Sequence, residues 1–91
     1  MKTPTLDRYF DEAGRLKEWP SRHRRALQIA ALHWLVGKFD AAEVYHERAV
    51  SEIIKRWHTF DDHALLRREM IDLGLLARDP LGTEYRVVTS S

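Results

Sequence analysis

The strongest constraint on the fold lies in residues 62–86, where a helical pattern changes into a β-hairpin pattern. Either Asp61 or Asp62 can cap the start of a helix, and an apolar stripe follows at helical spacing. The stripe consists of Leu66, Met70 and Leu73, with Ile71 beside them. Gly74 then supplies the left-handed residue that commonly ends a helix. Two β-prone runs flank Asp79-Pro80-Leu81-Gly82, whose proline and glycine favour a turn. The segment therefore predicts a helix that stops at Gly74 and leads into a hairpin.

Two further helices are predicted before this segment. Ser21 is a preferred N-cap for a long helix over residues 22–38. Its predicted buried stripe consists of Leu27, Ala30, Ala31, Trp34 and Leu35, and His33 among them is expected to be buried or half-buried. The next helix follows His46 and carries Val50, Ile53, Ile54 and Trp57 at helical spacing. With His46 as N-cap, Tyr45 and Val50 would form a hydrophobic staple where the chain enters the helix.

The first 21 residues are predicted to pack on this domain as a short helix and a connector. Leu6, Tyr9 and Phe10 have helical spacing, with Thr5 as the N-cap and Gly14 as the stop. Residues 15–21 are expected to be extended, because proline disfavours helix at the preceding residue. The order of elements predicts a mainly α-helical fold with a small β-hairpin, a winged helix-turn-helix over residues 22–91 with an N-terminal helical extension over residues 1–21.

Length and composition limit the class of protein. The 91 residues are enough for one core, and 44% hydrophobic with 32% charged residues is typical of a globular domain that folds as one unit. The absence of cysteine excludes disulfides and thiolate chemistry. No apolar run reaches the roughly 20 residues that cross a bilayer, and the N-terminus has no signal-peptide pattern. We therefore expect a cytoplasmic protein without membrane contact.

The polar residues match no recognised catalytic or metal-binding pattern. His58, Asp61, Asp62 and His63 lie close in the sequence, but their spacing matches no zinc motif and capping accounts for the aspartates. No set of nucleophile, base and orienting group can be identified, and there is no glycine-rich phosphate loop. We therefore expect no enzymatic activity, no metal site and no cofactor.

The chain contains the strings RYFDEAGRLKEWPSRHRR, LLRREMIDLGLLARD and GTEYR. With them it resembles the domain of unknown function 2087 family over residues 6–86. The resemblance implies a winged-helix fold and a role as a transcriptional regulator, alone or joined to other helix-turn-helix domains. His46 and Ser51 depart from the family pattern, in which a threonine cap and an asparagine are usual, and both lie at the second helix.

The third helix carries the first group of candidate nucleic-acid contacts. In a helix-turn-helix this helix enters the major groove of DNA, and arginine is the commonest partner of guanine there. We therefore expect His63, Arg67 and Arg68 to contact bases or phosphates. The alternative is that the arginines are paired within the chain. The expected partners are Asp62 or Glu43 for Arg67, and Asp72 for Arg68.

Further candidates lie in the hairpin and at the start of the long helix. Arg78 is expected to contact phosphate, and it is a better candidate than Arg86 in a hairpin that also carries Asp79 and Glu84. Arg22, Arg24 and Arg25 begin the long helix, where cations oppose the helix dipole, and this suggests an anionic partner. Pairing of these arginines with Asp7, Asp11 or Glu12 is the alternative.

Two functions stay open at this point. The first is a DNA-binding transcriptional regulator, whose third helix reads double-stranded DNA, with a homodimer on two half-sites as one arrangement. The second is a protein interaction or dimerisation module that binds a second copy or another regulator protein without touching DNA. Trp19 in the connector and the acidic second helix are its candidate contacts. With 15 basic and 14 acidic residues the net charge is only +1, so DNA binding would depend on local clustering of charge.

Overall fold

Three helices and a small antiparallel sheet form the fold of residues 6–89, the part of the chain that the computed structural model describes. In chain order the elements are α1 (Arg25–Val36), β1 (Val44–His46), α2 (Glu47–Trp57), α3 (His63–Asp72), β2 (Leu76–Arg78) and β3 (Glu84–Val87). Short 3-10 turns at Asp7–Tyr9 and Arg22–Arg24 precede α1. No helix of residues 6–89 has the length and apolar character needed to cross a membrane. The protein is therefore a small α/β domain with the three predicted helices, the predicted hairpin and one additional strand.

Strand β1 is the additional element, because the sequence predicts only that Tyr45 precedes the second helix as part of a staple. β3 lies between β1 and β2 in the sheet and is antiparallel to both. Tyr45 is paired with Tyr85 in β3, and its ring packs edge-on against Phe39 with 5.3 Å between centroids. His46 caps α2 as predicted, but its side chain makes no capping hydrogen bond. β1 has only three residues and its partner β3 lies far along the chain, so the sequence around β1 contains no pattern that predicts this strand.

The main core lies between the helices and one face of the sheet. Its buried residues are Leu32, Leu35, Phe39, Val50, Ile54, Leu66, Met70, Leu76 and Tyr85. The predicted stripes of α2 and α3 therefore face the core, although Ile53, Trp57 and Leu73 are only half-buried at its edge.

Helix α1 is shorter than predicted. The 3-10 turn takes the place of its first residues, and the helix ends at Val36. The side chain of Ser21 makes no capping hydrogen bond, and its carbonyl accepts from the N–H of Arg24 at 2.9 Å. The tighter turn satisfies a backbone group that a longer α-helix would leave to the cap.

The buried face of α1 also differs from the prediction. Ala30 and His33 are exposed, whereas Gln28 and Leu32 are buried. Residues three or four positions apart share a helix face, so Ala30 and His33 are exposed together and Gln28 and Leu32 are buried together. The buried face is the one that carries the large apolar side chain of Leu32. On this face Gln28 Nε2 donates a hydrogen bond to the Pro20 carbonyl at 2.7 Å. The predictions of a buried Ala30 and a core His33 are therefore wrong.

The predicted N-terminal helix is also wrong for the described residues. Only the turn at Asp7–Tyr9 is helical, and the predicted cap Thr5 lies outside the described residues. Asp11 Oδ1 accepts from the N–H groups of Ala13 and Arg15 at 3.0 and 2.8 Å. This side chain offers the backbone an alternative to helical bonds, and the chain folds back in a loop whose Gly14 has a φ of +80°.

The connector after this loop is extended, as predicted. The N–H of Leu16 donates to the carbonyl of Trp57 at 2.8 Å, and the N–H of Thr59 donates to the carbonyl of Leu16 at 2.9 Å. Leu16 is completely buried in a second cluster with Tyr9, Leu27 and Ala31. Trp19 is half-buried and packs against both clusters, so the N-terminal segment is part of the packed structure.

The segment after α3 confirms the predicted helix stop and hairpin. Gly74 has a φ of +76°. Its N–H donates to the Ile71 carbonyl at 2.9 Å, and the N–H of Leu75 donates to the Met70 carbonyl at 2.8 Å, the two bonds of a Schellman cap. The N–H of Gly82 donates to the Asp79 carbonyl at 2.9 Å and closes the predicted turn between β2 and β3. This geometry determines where the hairpin lies relative to α3.

Candidate functional site

The start of α3 is held by hydrogen bonds to α2 and to its own cap. Asp62 Oδ1 accepts from the N–H of Leu65 at 3.4 Å, which confirms Asp62 as the N-cap. The N–H of Asp62 donates to His58 Nε2 at 2.9 Å, and His58 Nδ1 donates to the Ile54 carbonyl at 2.6 Å. Both ring nitrogens of the buried His58 are thus used in hydrogen bonds. They link the last turn of α2 to the N-cap of α3, so the two helices are held in a defined relative position.

Arg67 points from α3 back to α2. Its Nη1 donates to Ser51 Oγ at 3.0 Å, and its Nη2 lies 3.4 Å from Glu47 Oε1. Only 22% of the Arg67 side chain is exposed. The sequence predicts Asp62 or Glu43 as the internal partner, and that pairing is wrong because Glu47 takes the place. Arg67 therefore connects α3 to α2, and its side chain is only partly exposed to solvent.

Arg68 is one residue further along α3 and faces solvent. Its side chain is 83% exposed, and its Nε lies 4.0 Å from Asp72 Oδ2. This is the predicted pair one turn along the helix, at the long end of an ion-pair distance. An exposed pair of this kind contributes only about 0.3–0.5 kcal/mol. Little energy therefore opposes a move of Arg68 to another anion.

Arg78 lies in strand β2, close to the surface of α3 that carries Arg68. It is paired with Tyr85 in the ladder, so it lies on the face of the sheet that carries this buried ring. Its Cδ would be 3.7 Å from a Cβ added at Gly82, so the stem of the side chain runs beside the hairpin turn. Among residues 6–89 no ion pair of Arg78 is found within 4.0 Å. Its guanidinium is therefore available to an external anion.

The neighbouring Asp79 is occupied by the turn. Its Oδ1 accepts from the N–H groups of Thr83 and Glu84 at 2.8 and 3.1 Å, and its Oδ2 accepts from the Thr83 hydroxyl at 3.1 Å. The N–H of Glu84, followed by the donors of Thr83, lowers the pKa of the Asp79 carboxyl below its ordinary value. The carboxylate thus stabilises the turn instead of pairing with Arg78.

Arg67, Arg68 and Arg78 meet at one surface depression between α3 and the hairpin. It is lined by Ala64, Arg67, Arg68, Ile71, Asp72 and Arg78. Three of the seven predicted contact residues, Arg67, Arg68 and Arg78, are thereby brought together from two separate elements. Ala64 and Ile71 are the members that sequence reasoning missed. Their spacing from Arg68 was a signal that could have found them, since residues three or four positions apart lie on neighbouring parts of a helix surface.

The other four predicted contact residues do not line this depression. His63 is half-buried in the first turn of α3. Arg22 and Arg24 are exposed in the 3-10 turn before α1. Arg25 donates to Gln28 Oε1 at 2.8 Å and pairs with Glu69 Oε1 at 3.0 Å, so the predicted partners Asp7, Asp11 and Glu12 are wrong for it. Within residues 6–89 there is no group of three or more His, Asp or Glu side chains arranged to hold a metal ion.

Comparison with known proteins identifies the family. Residues 15–87 match the family model described as an uncharacterized protein conserved in bacteria, domain of unknown function 2087. The chain therefore belongs to this family, in agreement with the resemblance seen in its sequence. No curated protein and no solved structure matches the chain.

Proposed function

We propose that this member of the domain of unknown function 2087 family binds double-stranded DNA as a transcriptional regulator. In this proposal α2 and α3, joined by residues 58–62, act as a helix-turn-helix, and the β2–β3 hairpin acts as the wing of a winged helix. The observation that carries the proposal is the depression lined by Arg67, Arg68 and Arg78. Guanidinium groups pair with phosphate oxygens and with the major-groove edge of guanine.

The distribution of charge supports the proposal better than the net charge does. A net charge of +1 gives no long-range attraction to a polyanion. The depression, however, is lined by three arginines and by one acidic residue, Asp72. Arg68 is highly exposed, and Arg78 has no ion pair among the described residues. The contact with DNA is therefore local, and it depends on these two guanidinium groups more than on the rest of the surface.

A second candidate function is the contact of this domain with another protein through the sheet. Val44 is 59% exposed in the edge strand β1, and it shares a row with Arg86 and Ala77 across the sheet. An exposed aliphatic residue on an edge strand can pair with a partner chain. The row is short and carries a charge at its centre, so we rank this function below DNA binding.

A salt titration with charge-reversal variants tests the first function. We expect the protein to bind a fluorescent duplex of random sequence, with an affinity that falls by about 0.9 log unit per log unit of salt for each phosphate neutralised. Arg68→Glu and Arg78→Glu should abolish most of this binding. Arg56→Glu is the matched control, because Arg56 is an exposed arginine of α2 that does not line the depression.

Two results would contradict the proposal. One is the absence of binding by the folded wild-type protein even at low salt. The other is an equal loss of affinity in all three variants, which would show that only total charge matters. Sedimentation of the wild-type protein measures its self-association, and a dimer that is lost in a separate Val44→Lys variant would support the second function.

A further inference from the structure

We infer that Arg68 and Ala64 determine the sequence preference of this protein, with Arg68 reading a guanine and Ala64 contacting the methyl group of a nearby thymine. Arg67, its neighbour in sequence, is a positioning residue that fixes the angle between α2 and α3. The inference rests on the proposed function and assigns roles within the same surface.

The different environments of the two arginines separate their roles. To reach a base, Arg67 would have to leave both Ser51 and Glu47, and its side chain is 22% exposed. Arg68 would leave one exposed carboxylate at 4.0 Å, and its side chain is 83% exposed. A bidentate contact with guanine needs a planar group that can advance from the helix into the groove. The structure therefore favours Arg68 over Arg67 as the residue that contacts a base.

Ala64 is placed to act together with Arg68. The two residues are four positions apart on α3, so they share a face and lie about 6 Å apart along the helix axis. Along the major groove this distance spans one or two base-pair steps, which are 3.4 Å apart along the DNA axis. Ala64 is exposed, and an alanine methyl group is a suitable contact for the C5 methyl of thymine. The expected preference is therefore a guanine with a thymine one or two steps away.

Arg78 has a different role because it belongs to the hairpin and not to α3. A hairpin beside a helix in the groove meets the sugar-phosphate backbone, which is the same for every sequence. Removal of Arg78 should weaken binding to all duplexes alike, whereas removal of Arg68 should weaken binding to the preferred duplex more than binding to a duplex of random sequence. The two variants thus separate affinity from preference.

Selection from a pool of randomised DNA duplexes, followed by base analogues, tests the assignment. We expect the wild-type protein to enrich a motif with guanine and thymine at this spacing. Replacement of that guanine by 7-deazaguanine removes the N7 acceptor and leaves O6, so it should weaken binding by a factor below the roughly 150-fold upper limit of a full bidentate contact. Replacement of the thymine by uracil removes the methyl group and should weaken binding by a smaller factor.

The variants then assign each effect to a residue. In Arg68→Ala the penalty for 7-deazaguanine should disappear, and in Ala64→Gly the penalty for uracil should disappear. In Arg67→Ala the melting temperature should fall, because the link from α3 to α2 is lost. The penalty for 7-deazaguanine should be retained, since it would disappear only if Arg67 itself contacted the guanine. Circular dichroism of each variant verifies that it is folded.

The outcomes distinguish this inference from the proposed function. If the wild-type protein binds no duplex in the pool, the proposed function and this inference both fall. If it binds but enriches no guanine, or if Arg67→Ala and not Arg68→Ala removes the penalty, the protein is a DNA-binding protein and this inference is overturned. Enrichment of guanine with a penalty that depends on Arg68 supports both.

Discussion

Arg25 and Glu69 connect the beginning of α1 to the middle of α3, with 3.0 Å between Arg25 Nη1 and Glu69 Oε1 and 3.5 Å between Nη2 and Oε2. Arg25 Nη1 also donates to Gln28 in its own helix at 2.8 Å. A residue that the sequence suggests as a contact for an anionic partner thus pairs with a carboxylate of the same chain. This pair holds α3 from the side of α1, and Arg67 holds it from the side of α2.

We expect Arg25→Ala to reduce the free energy of unfolding, but by no more than about 1 kcal/mol, because the pair is partly exposed and screened by solvent. Urea denaturation measures this change. Arg24→Ala is the matched control, since Arg24 is exposed beside Arg25 and no ion pair of it is found within residues 6–89. A double-mutant cycle with Glu69→Ala isolates the pair, and a coupling energy of zero would contradict its role.

Substitution of Gly74 should be costly because of its backbone conformation. Nothing lies within 4 Å of a Cβ built at this position, so an added methyl group meets no steric obstacle. Its φ of +76° nevertheless costs a residue with a side chain about 1–2 kcal/mol. We expect Gly74→Ala to lower stability by this amount and Gly74→Asn by less, because asparagine tolerates this region better. Equal losses in chemical denaturation would be inconsistent with a conformational cause.

The hairpin turn should lose stability in acid. Hydrogen bonds from Glu84 and Thr83 hold the pKa of Asp79 below its ordinary value in the folded protein. The unfolded chain therefore binds the proton more readily, and the stabilisation is complete above the unfolded pKa and decreases as the pH falls through the lower folded pKa. We expect Asp79→Asn to flatten the dependence of unfolding free energy on pH below about pH 4. An unchanged acid dependence in this variant would exclude Asp79 as its source.

The features of α3 that the sequence predicts correctly are local ones. Asp62 at the start of α3 and Gly74 at its end act through bonds to nearby residues, and both could be predicted. The pair of Arg68 and Asp72 is one helical turn apart and was equally accessible to sequence reasoning. In each case helix periodicity alone determines which groups meet.

The features that sequence reasoning missed depend on how distant elements pack. Glu47, the partner of Arg67, depends on how α2 lies against α3, and strand β1 depends on the position of β3. The convergence of Arg78 with Arg68 likewise requires the hairpin to fold back beside α3. These contacts form only when distant parts of the chain pack together, and the spacing of residues within one helix or strand does not predict them.

The role of the N-terminal segment can be tested at Leu16. This side chain is fully buried, and its backbone bonds to Trp57 and Thr59 attach the segment to the connection between α2 and α3. We expect Leu16→Ala to lower the free energy of unfolding by about 2–5 kcal/mol, the cost of a cavity at a leucine in a protein core. The exposed neighbour Lys17 provides the control, and Lys17→Ala should change stability by less than about 0.5 kcal/mol. If both variants unfold at the same urea concentration, the N-terminal segment does not stabilise the helices that carry the arginines. A selective loss in Leu16→Ala would show that this segment stabilises the fold that carries α3.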